Sequence, residues 1–226
     1  MWSWARRHGC YGFILGICFL AGAAWAQAPS NPSLNAQLLV AARQGDLPAV
    51  TRALERGAAP DSRNRLGKTV LLLACEKGNE AMAQAMIAAR ADVNLPSLNK
   101  VTPLMAASYI GHTGILRALL QAGAKTELQD HLHKPAIVYA AGEGRSDIVA
   151  LLLDQGVPVD GVYEHQLSAL MWAAGQGHAA VVRLLVSRGA RVDLRDDRGL
   201  TAADMARQAG HTEALAALQL PTLPSR

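Results

Sequence analysis

The sequence is poor in aromatic side chains: Phe, Trp and Tyr together make up 4% of its 226 residues. Cores filled from every direction lean on such rings, so their scarcity points to a thin core of small aliphatic side chains. Cysteine is scarcer still, at three residues, which excludes a disulfide-dense miniprotein. Charged residues are 18% with a net charge of +4, too little to mark a nucleic-acid binder or a charge-swollen disordered chain. With 10 Pro and 20 Gly, collagen-like and low-complexity compositions are excluded as well. Half of the residues are apolar, yet the long uncharged apolar run from Gly9 to Ala24 stands by itself, which excludes a polytopic membrane protein.

That run follows Arg6, Arg7 and His8 and ends at Ala24-Trp25-Ala26. A basic start, an apolar stretch and a small-x-small end form a secretory signal, with cleavage expected between Ala26 and Gln27. Gly9 and Cys10 stand where a twin-arginine signal carries apolar residues, and Ile17 before Cys18 is too large for a lipobox. The alternative is an uncleaved anchor helix, against which the run is shorter than the roughly 20 residues a span prefers. The expected order is therefore a signal peptide over 1–26, a linker over 27–33, a repeat domain over 34–220 and a tail over 221–226.

Cleavage would remove both Phe residues, Trp2, Trp4, Trp25, Tyr11, Cys10 and Cys18, and lower the net charge to +2. Cys75 then stands alone, so no internal disulfide can form and packing must supply the stability. The remaining aromatics are Tyr109, Tyr139, Tyr163 and Trp172.

What the sequence has in abundance is regularity. Gly45, Gly78, Gly111, Gly144, Gly177 and Gly210 recur every 33 residues without insertion, and four places before each stands Ala41, Ala74, Ala107, Ala140, Ala173 or Ala206. Nine places before the glycine come Thr69, Thr102, Ser168 and Thr201, with Pro135 and Ala36 as exceptions. Twelve places after it come Gly57, Gly123, Gly156 and Gly189, with Arg90 departing. A period in this range marks stacked repeats. Thr or Ser reads as an N-cap, the periodic glycine as the left-handed end of a first helix, and the alanine as a site where neighbouring helices meet closely. The second helix carries apolar spacing such as Ile115, Leu116, Leu119 and Leu120. A polar run such as Arg191 to Gly199 then makes a protruding turn.

With Gly67-Lys68-Thr69-Val70-Leu71, Thr102-Pro103-Leu104-Met105-Ala106-Ala107, Gly189-Ala190-Arg191-Val192-Asp193 and Gly199-Leu200-Thr201-Ala202-Ala203, the sequence resembles the ankyrin repeat family. The resemblance covers about residues 34 to 220. It implies an all-α solenoid of about six 33-residue repeats, caps included, built of helix-turn-helix units with protruding β-turn or hairpin tips. The family often places His after Thr-Pro-Leu, where Leu72, Met105, Val138, Met171 and Asp204 stand here. Inter-repeat hydrogen bonds from that His are thus put in doubt, and apolar packing is expected to substitute. The end repeats depart from the pattern as caps do.

Such a solenoid is expected to offer a concave surface made from first helices and turn tips. Residues five, two and one before the periodic glycine share a helix face and are expected to line it: Leu73, Glu76 and Lys77; Ala106, Tyr109 and Ile110; Tyr139, Gly142 and Glu143; Trp172, Gly175 and Gln176. Aromatics beside small neighbours and a polar rim are how binding hot spots are built, and Gly142 and Gly175 are expected to leave open space beside Tyr139 and Trp172. Tyr109, Ile110, Tyr139 and Trp172 are the expected anchors for a protein partner, joined by Tyr163, Glu143 and Gln176, and by the basic tip of Arg63, Arg65 and Lys68. Packing on the neighbouring turn is the competing reading of Tyr139 and Trp172, and plain solvation that of the charged tips.

Chemistry finds little support. His131, His133 and His165 lie on adjacent turns near Asp130 and Glu164, but metal ligands must converge on one ion, and neither metal nor cofactor is expected. His112, His178 and His211 follow periodic glycines, a structural position in the family. Cys75 sits at a small-residue packing site, and no phosphate loop, zinc-helix motif or nucleophile elbow occurs. The chain thus reads as a non-enzymatic protein-binding module of bacterial type in the periplasm, without nucleic acid, touching membrane only if its signal stays uncleaved. Similar bacterial proteins are thought to bind or protect other envelope proteins, which is what the resemblance implies. The alternatives are a membrane-tethered adaptor and a metal-binding or redox accessory using the turn histidines.

Overall fold

The computed structural model describes residues 32–219. The expected signal peptide, its expected cleavage position between Ala26 and Gln27, most of the expected linker and the 221–226 tail lie outside the described residues. Twelve α-helices and no strand occupy the described chain: α1 (Pro32–Gln44), α2 (Leu47–Glu55), α3 (Val70–Lys77), α4 (Glu80–Ala88), α5 (Pro103–Ile110), α6 (Thr113–Gln121), α7 (Ala136–Gly142), α8 (Ser146–Asp154), α9 (Ala169–Gly175), α10 (Ala179–Ser187), α11 (Ala202–Gln208) and α12 (Thr212–Leu218). They pair into six helix hairpins. The odd-numbered helices stack on one another in one layer, and the even-numbered helices stack in a second. Among the described residues, no helix is long and apolar enough to cross a membrane.

The local chemistry follows the period. The side chains of Thr69, Thr102, Ser168 and Thr201 each accept the amide three residues on, satisfying one of the orphan donors of the helix start. Pro135, which has no such oxygen, begins α7 without a side-chain cap. At the position where the family often has His, Met105 and Met171 turn their sulfurs back to accept the amides of Thr102 and Ser168, at 3.4 and 3.5 Å. In the last repeat Asp204 does the same with an oxygen at 3.1 Å and also takes the Thr201 hydroxyl at 2.7 Å. Those bonds from Thr201, together with the Arg207 guanidinium, pull the Asp204 carboxyl down to about 2. Leu72 and Val138 fill the equivalent position as buried apolar groups.

The periodic alanines are buried in all six repeats. Around them lies one continuous core of Leu, Ile, Val, Met and Ala that runs the length of the stack. Burial of this apolar surface is the main favourable term in its stability. Cys75, next to Ala74, is buried within it, and desolvation pushes its thiol up to about 12. A thiol so placed is not a nucleophile at neutral pH.

From the third repeat on, the residue after the periodic glycine reaches back to the preceding repeat, whereas Asp46 and Asn79 cap their own helices. The side chains of His112, Arg145, His178 and His211 lie across Gly78, Gly111, Gly144 and Gly177 of the preceding repeat. The His178 Nε2 donates to the Gly142 carbonyl at 2.9 Å, and the Arg145 Nε to that of Tyr109 at 3.2 Å. Gly144 has φ +69°, and a Cβ there would stand 2.7 Å from the His178 ring. Gly45 has φ +78° with nothing within 4 Å. Arg90 adopts the left-handed φ of 60° where the other repeats use Gly57, Gly123, Gly156 and Gly189.

The turns between hairpins form a second periodic system. Their backbones close by an amide-to-carbonyl bond four residues on, from Asn64 to Lys68, Ser97 to Val101, Asp130 to Lys134, Tyr163 to Leu167 and Asp196 to Leu200. These segments are called tips two to six after the repeat each one precedes. In tips two, four and six one side-chain oxygen, of Asn64, Asp130 or Asp196, accepts both the amide two residues on and the amide four residues on. Asp130 is buried, and its second oxygen accepts the Tyr139 hydroxyl at 2.6 Å. Burial, and next this bond to a carboxylate, drive the Tyr139 phenol far above its ordinary range.

Two outcomes are expected. Gly144→Ala should cost about 2 kcal/mol in urea unfolding, from left-handed strain plus displacement of His178, whereas Gly45→Ala should cost only the backbone part. Tyr139→Phe should lower stability by about 1.5–3 kcal/mol, the range for a hydrogen bond to a charged group, with the far-ultraviolet circular dichroism unchanged.

Candidate binding face

The first helices present their last turns beside the tips, and there the four aromatics of residues 32–219 gather. The position five before the glycine does not line an open surface in every repeat: Leu73 and Ala106 are buried. The cause is the stacking, for this side chain leans onto the residue two before the glycine in the preceding repeat. Tyr139 meets Tyr109 edge to face, with centroids 6.2 Å apart at 80°. Trp172 reaches over Gly142, and Met205 over Gly175, each 3.8 Å from where a Cβ would stand. Trp172 thus covers Gly142, while Gly175 still borders an open cleft beside Trp172.

Of the central repeats, the third leaves the position two before its glycine exposed. Tyr109 keeps 47% of its surface accessible, while Ile110, Tyr139, Trp172, Tyr163 and Glu143 are half-buried and Gln176 is exposed. Tyr109, Ile110 and Tyr139 wall a pocket of about 330 Å³ floored by Met105 and Ala106, with Glu76 at its edge. Trp172 divides two more. On one side lies a pocket of about 240 Å³ between tips four and five, walled by Leu132, Tyr163 and Leu167. On the other lies a cleft of about 380 Å³ reaching Met205, with Gln176 and Arg198 at its rim. The Lys134 ammonium sits 4.0 Å above the Trp172 ring centroid, a cation–π contact. Burial raises the Tyr163 phenol above its ordinary range.

Arg65, Lys68 and Glu143 line none of these three pockets. The basic tip is largely spoken for: Lys68 pairs with Glu76 at 2.7 Å, Arg63 donates to the carbonyls of Gly67 and Pro96, and Lys77 donates to that of Arg43. Arg65 remains exposed. At the far end Arg191 pairs with Asp193, and Arg198 with Asp196. The His131 ring bonds the Asn99 carbonyl at 3.2 Å and the His165 ring faces Asp197 at 3.4 Å. Among the described residues no three His, Cys, Asp or Glu side chains converge on a common point.

Sequence reasoning missed the tip leucines. Leu66, Leu98 and Leu132 are 60%, 69% and 42% exposed on successive tips, and Leu132 walls a pocket. Their signal was present, as apolar residues inside otherwise polar turn runs. It also missed Lys134 as a partner of Trp172, since a lysine 38 positions away in sequence carries no local mark.

Comparison with known proteins agrees with this architecture. A family model described as ankyrin repeats in three copies matches residues 38–130 and again 137–220. The human mitochondrial disaggregase is 40% identical over 85 residues, 36% of this chain and 12% of that protein. The ankyrin repeat and KH domain-containing protein mask-1 of Caenorhabditis elegans is 33% identical over 99 residues, 44% of this chain and 4% of its own length. The bovine inactive serine/threonine-protein kinase TEX14 is 35% identical over 81 residues, 36% of this chain and 5% of that protein. The chain thus spans a small part of each of these relatives, and the likeness concerns a section of them. Regular hairpins, capped first helices, left-handed periodic glycines and the matched segments lead to one assignment: the chain belongs to the ankyrin repeat family.

Proposed function

We propose that this chain is an exported, non-enzymatic scaffold that captures or protects a partner protein in the cell envelope, with the periplasm as its compartment. Ankyrin repeats are protein-interaction modules, and the row of three pockets walled by Tyr109, Tyr139, Trp172 and Tyr163 carries the reading for this chain. Half-buried rings beside one exposed tyrosine, with polar groups at the edges, match the makeup of interface hot spots. Tyr109 and Ile110 are the contact residues best separated from packing. Tyr139 is tied to Asp130 and Trp172 to Lys134, so these two shape the pockets as well as line them. The export signal read from the first 26 residues supports the compartment, and a chain that kept it would be a membrane-tethered adaptor.

In affinity capture from envelope extract, the wild-type chain should retain a partner that Tyr109→Ala with Ile110→Ser loses by about tenfold or more, while the thermal midpoint stays within a few degrees. Equal capture by the double variant would remove the first-helix face from the binding role. Intact-mass measurement of the exported chain should place Gln27 first; a retained Met1 would favour the tethered form.

A further inference from the structure

Tip five departs from the others, and the departure opens a slot. Neighbouring tips are joined by backbone bonds: the Leu98 amide donates to the Leu66 carbonyl, His131 to Asn99 and Asp197 to His165, each at 3.1 Å. The same step between tips four and five would join the Glu164 amide to the Leu132 carbonyl. Among the described residues that bond is absent, and neither group has another hydrogen-bond partner.

The missing bond goes with a change of side chain. Asn64, Asp130 and Asp196 gather two amides of their own tip on a short side-chain oxygen, and the Ser97 hydroxyl accepts one. Tyr163 holds the equivalent position, and its oxygen, at the far end of a ring, stands over Gly161 instead. Each of these tips contains one left-handed residue, at Gly67, Lys100, His133, Gln166 or Gly199, but tip five adds a second at His165, with φ 58°. Tip five thereby closes in a tight left-handed turn over Glu164–Gln166, the Leu167 amide donating to the Glu164 carbonyl at 3.2 Å, and the pocket walled by Leu132, Tyr163, Leu167 and Trp172 occupies the gap. At its edge stands Lys134. Among the tip cations Lys68 pairs with Glu76, Arg198 with Asp196 and Arg195 with the Gly199 carbonyl, while Arg65 and Lys100 point to solvent away from this pocket. Lys134 has only the Trp172 ring among the described residues.

We propose that this slot receives a short extended segment of the partner, in which an apolar side chain is followed by an acidic residue. The inference rests on the partner-capture reading above. The apolar side chain fills the pocket, the carboxylate meets the Lys134 ammonium, and the segment's main chain bonds the Leu132 carbonyl and the Glu164 amide. This is strand-like addition confined to a single gap. The pocket has room for one aliphatic or aromatic side chain, and the charge of Lys134 selects its acidic neighbour.

Fluorescence anisotropy of the full chain with fluorescein-labelled Gly/Ser peptides carrying a central Leu-Glu, Leu-Lys or Ala-Glu pair tests this. Leu-Glu should bind best, with Leu-Lys and Ala-Glu each weaker by at least about fivefold. Lys134→Glu should reverse the Glu-over-Lys preference. Tyr163→Asp restores the short acceptor, should close the slot and abolish binding with no loss of thermal midpoint, and Tyr109→Ala with Ile110→Ser should leave peptide binding unchanged. Equal binding of the three peptides, no binding of Leu-Glu, or indifference to Lys134→Glu would each overturn the slot. Loss of captured partner with the Tyr109/Ile110 variant, but not with Lys134→Glu or Tyr163→Asp, would overturn the slot and leave the first-helix face standing.

Discussion

Consecutive first helices meet over a column of methyl groups. Ala41, Ala74, Ala107, Ala140, Ala173 and Ala206 are all buried there, and close-packed interiors leave little free volume for a larger side chain. That approach sets how far a side chain must reach to touch its neighbour. A ring five places before the glycine reaches the residue two before the preceding glycine, so Tyr139 finds Tyr109 and Trp172 finds Gly142. The same spacing lets His178 and Arg145 lie over glycines one repeat back. The pockets on the first-helix face are a product of this stacking, each divided from the next by whichever large side chain the period places there.

Much of this could be read from residue types at fixed intervals. Thr102 as a cap, Gly111 as a left-handed end and Ala107 as a contact methyl follow from their own chemistry, and each recurs often enough to exclude coincidence. Direction was harder to read. That Leu73 and Ala106 turn inward while Tyr109 turns outward depends on the tilt of one repeat against the next, which a single period does not encode. Met105 and Met171 look like ordinary core residues, yet their sulfurs also serve a backbone amide. The basic tip looked free because pairs such as Lys68 with Glu76 span residues whose distance in space the fold decides.

The tips show how a repeat array varies without losing its frame. The closing bond from the first tip residue to the fifth is made in each of tips two to six, whatever the side chain. The side-chain acceptor is an addition to that frame, supplied by Asn64, Ser97, Asp130 and Asp196 and not by Tyr163. Because each repeat bears chiefly on its neighbours, the altered conformation at tip five leaves the core beneath it intact, with Ala169, Leu170 and Met171 fully packed.

That separation has an evolutionary side. A tyrosine codon and an aspartate codon differ in their first base alone, so the open turn before the fifth repeat and a regular one lie a single nucleotide substitution apart. A lineage carrying this array can gain or shed such an opening in one mutational step, with no compensating change in the helices that support it.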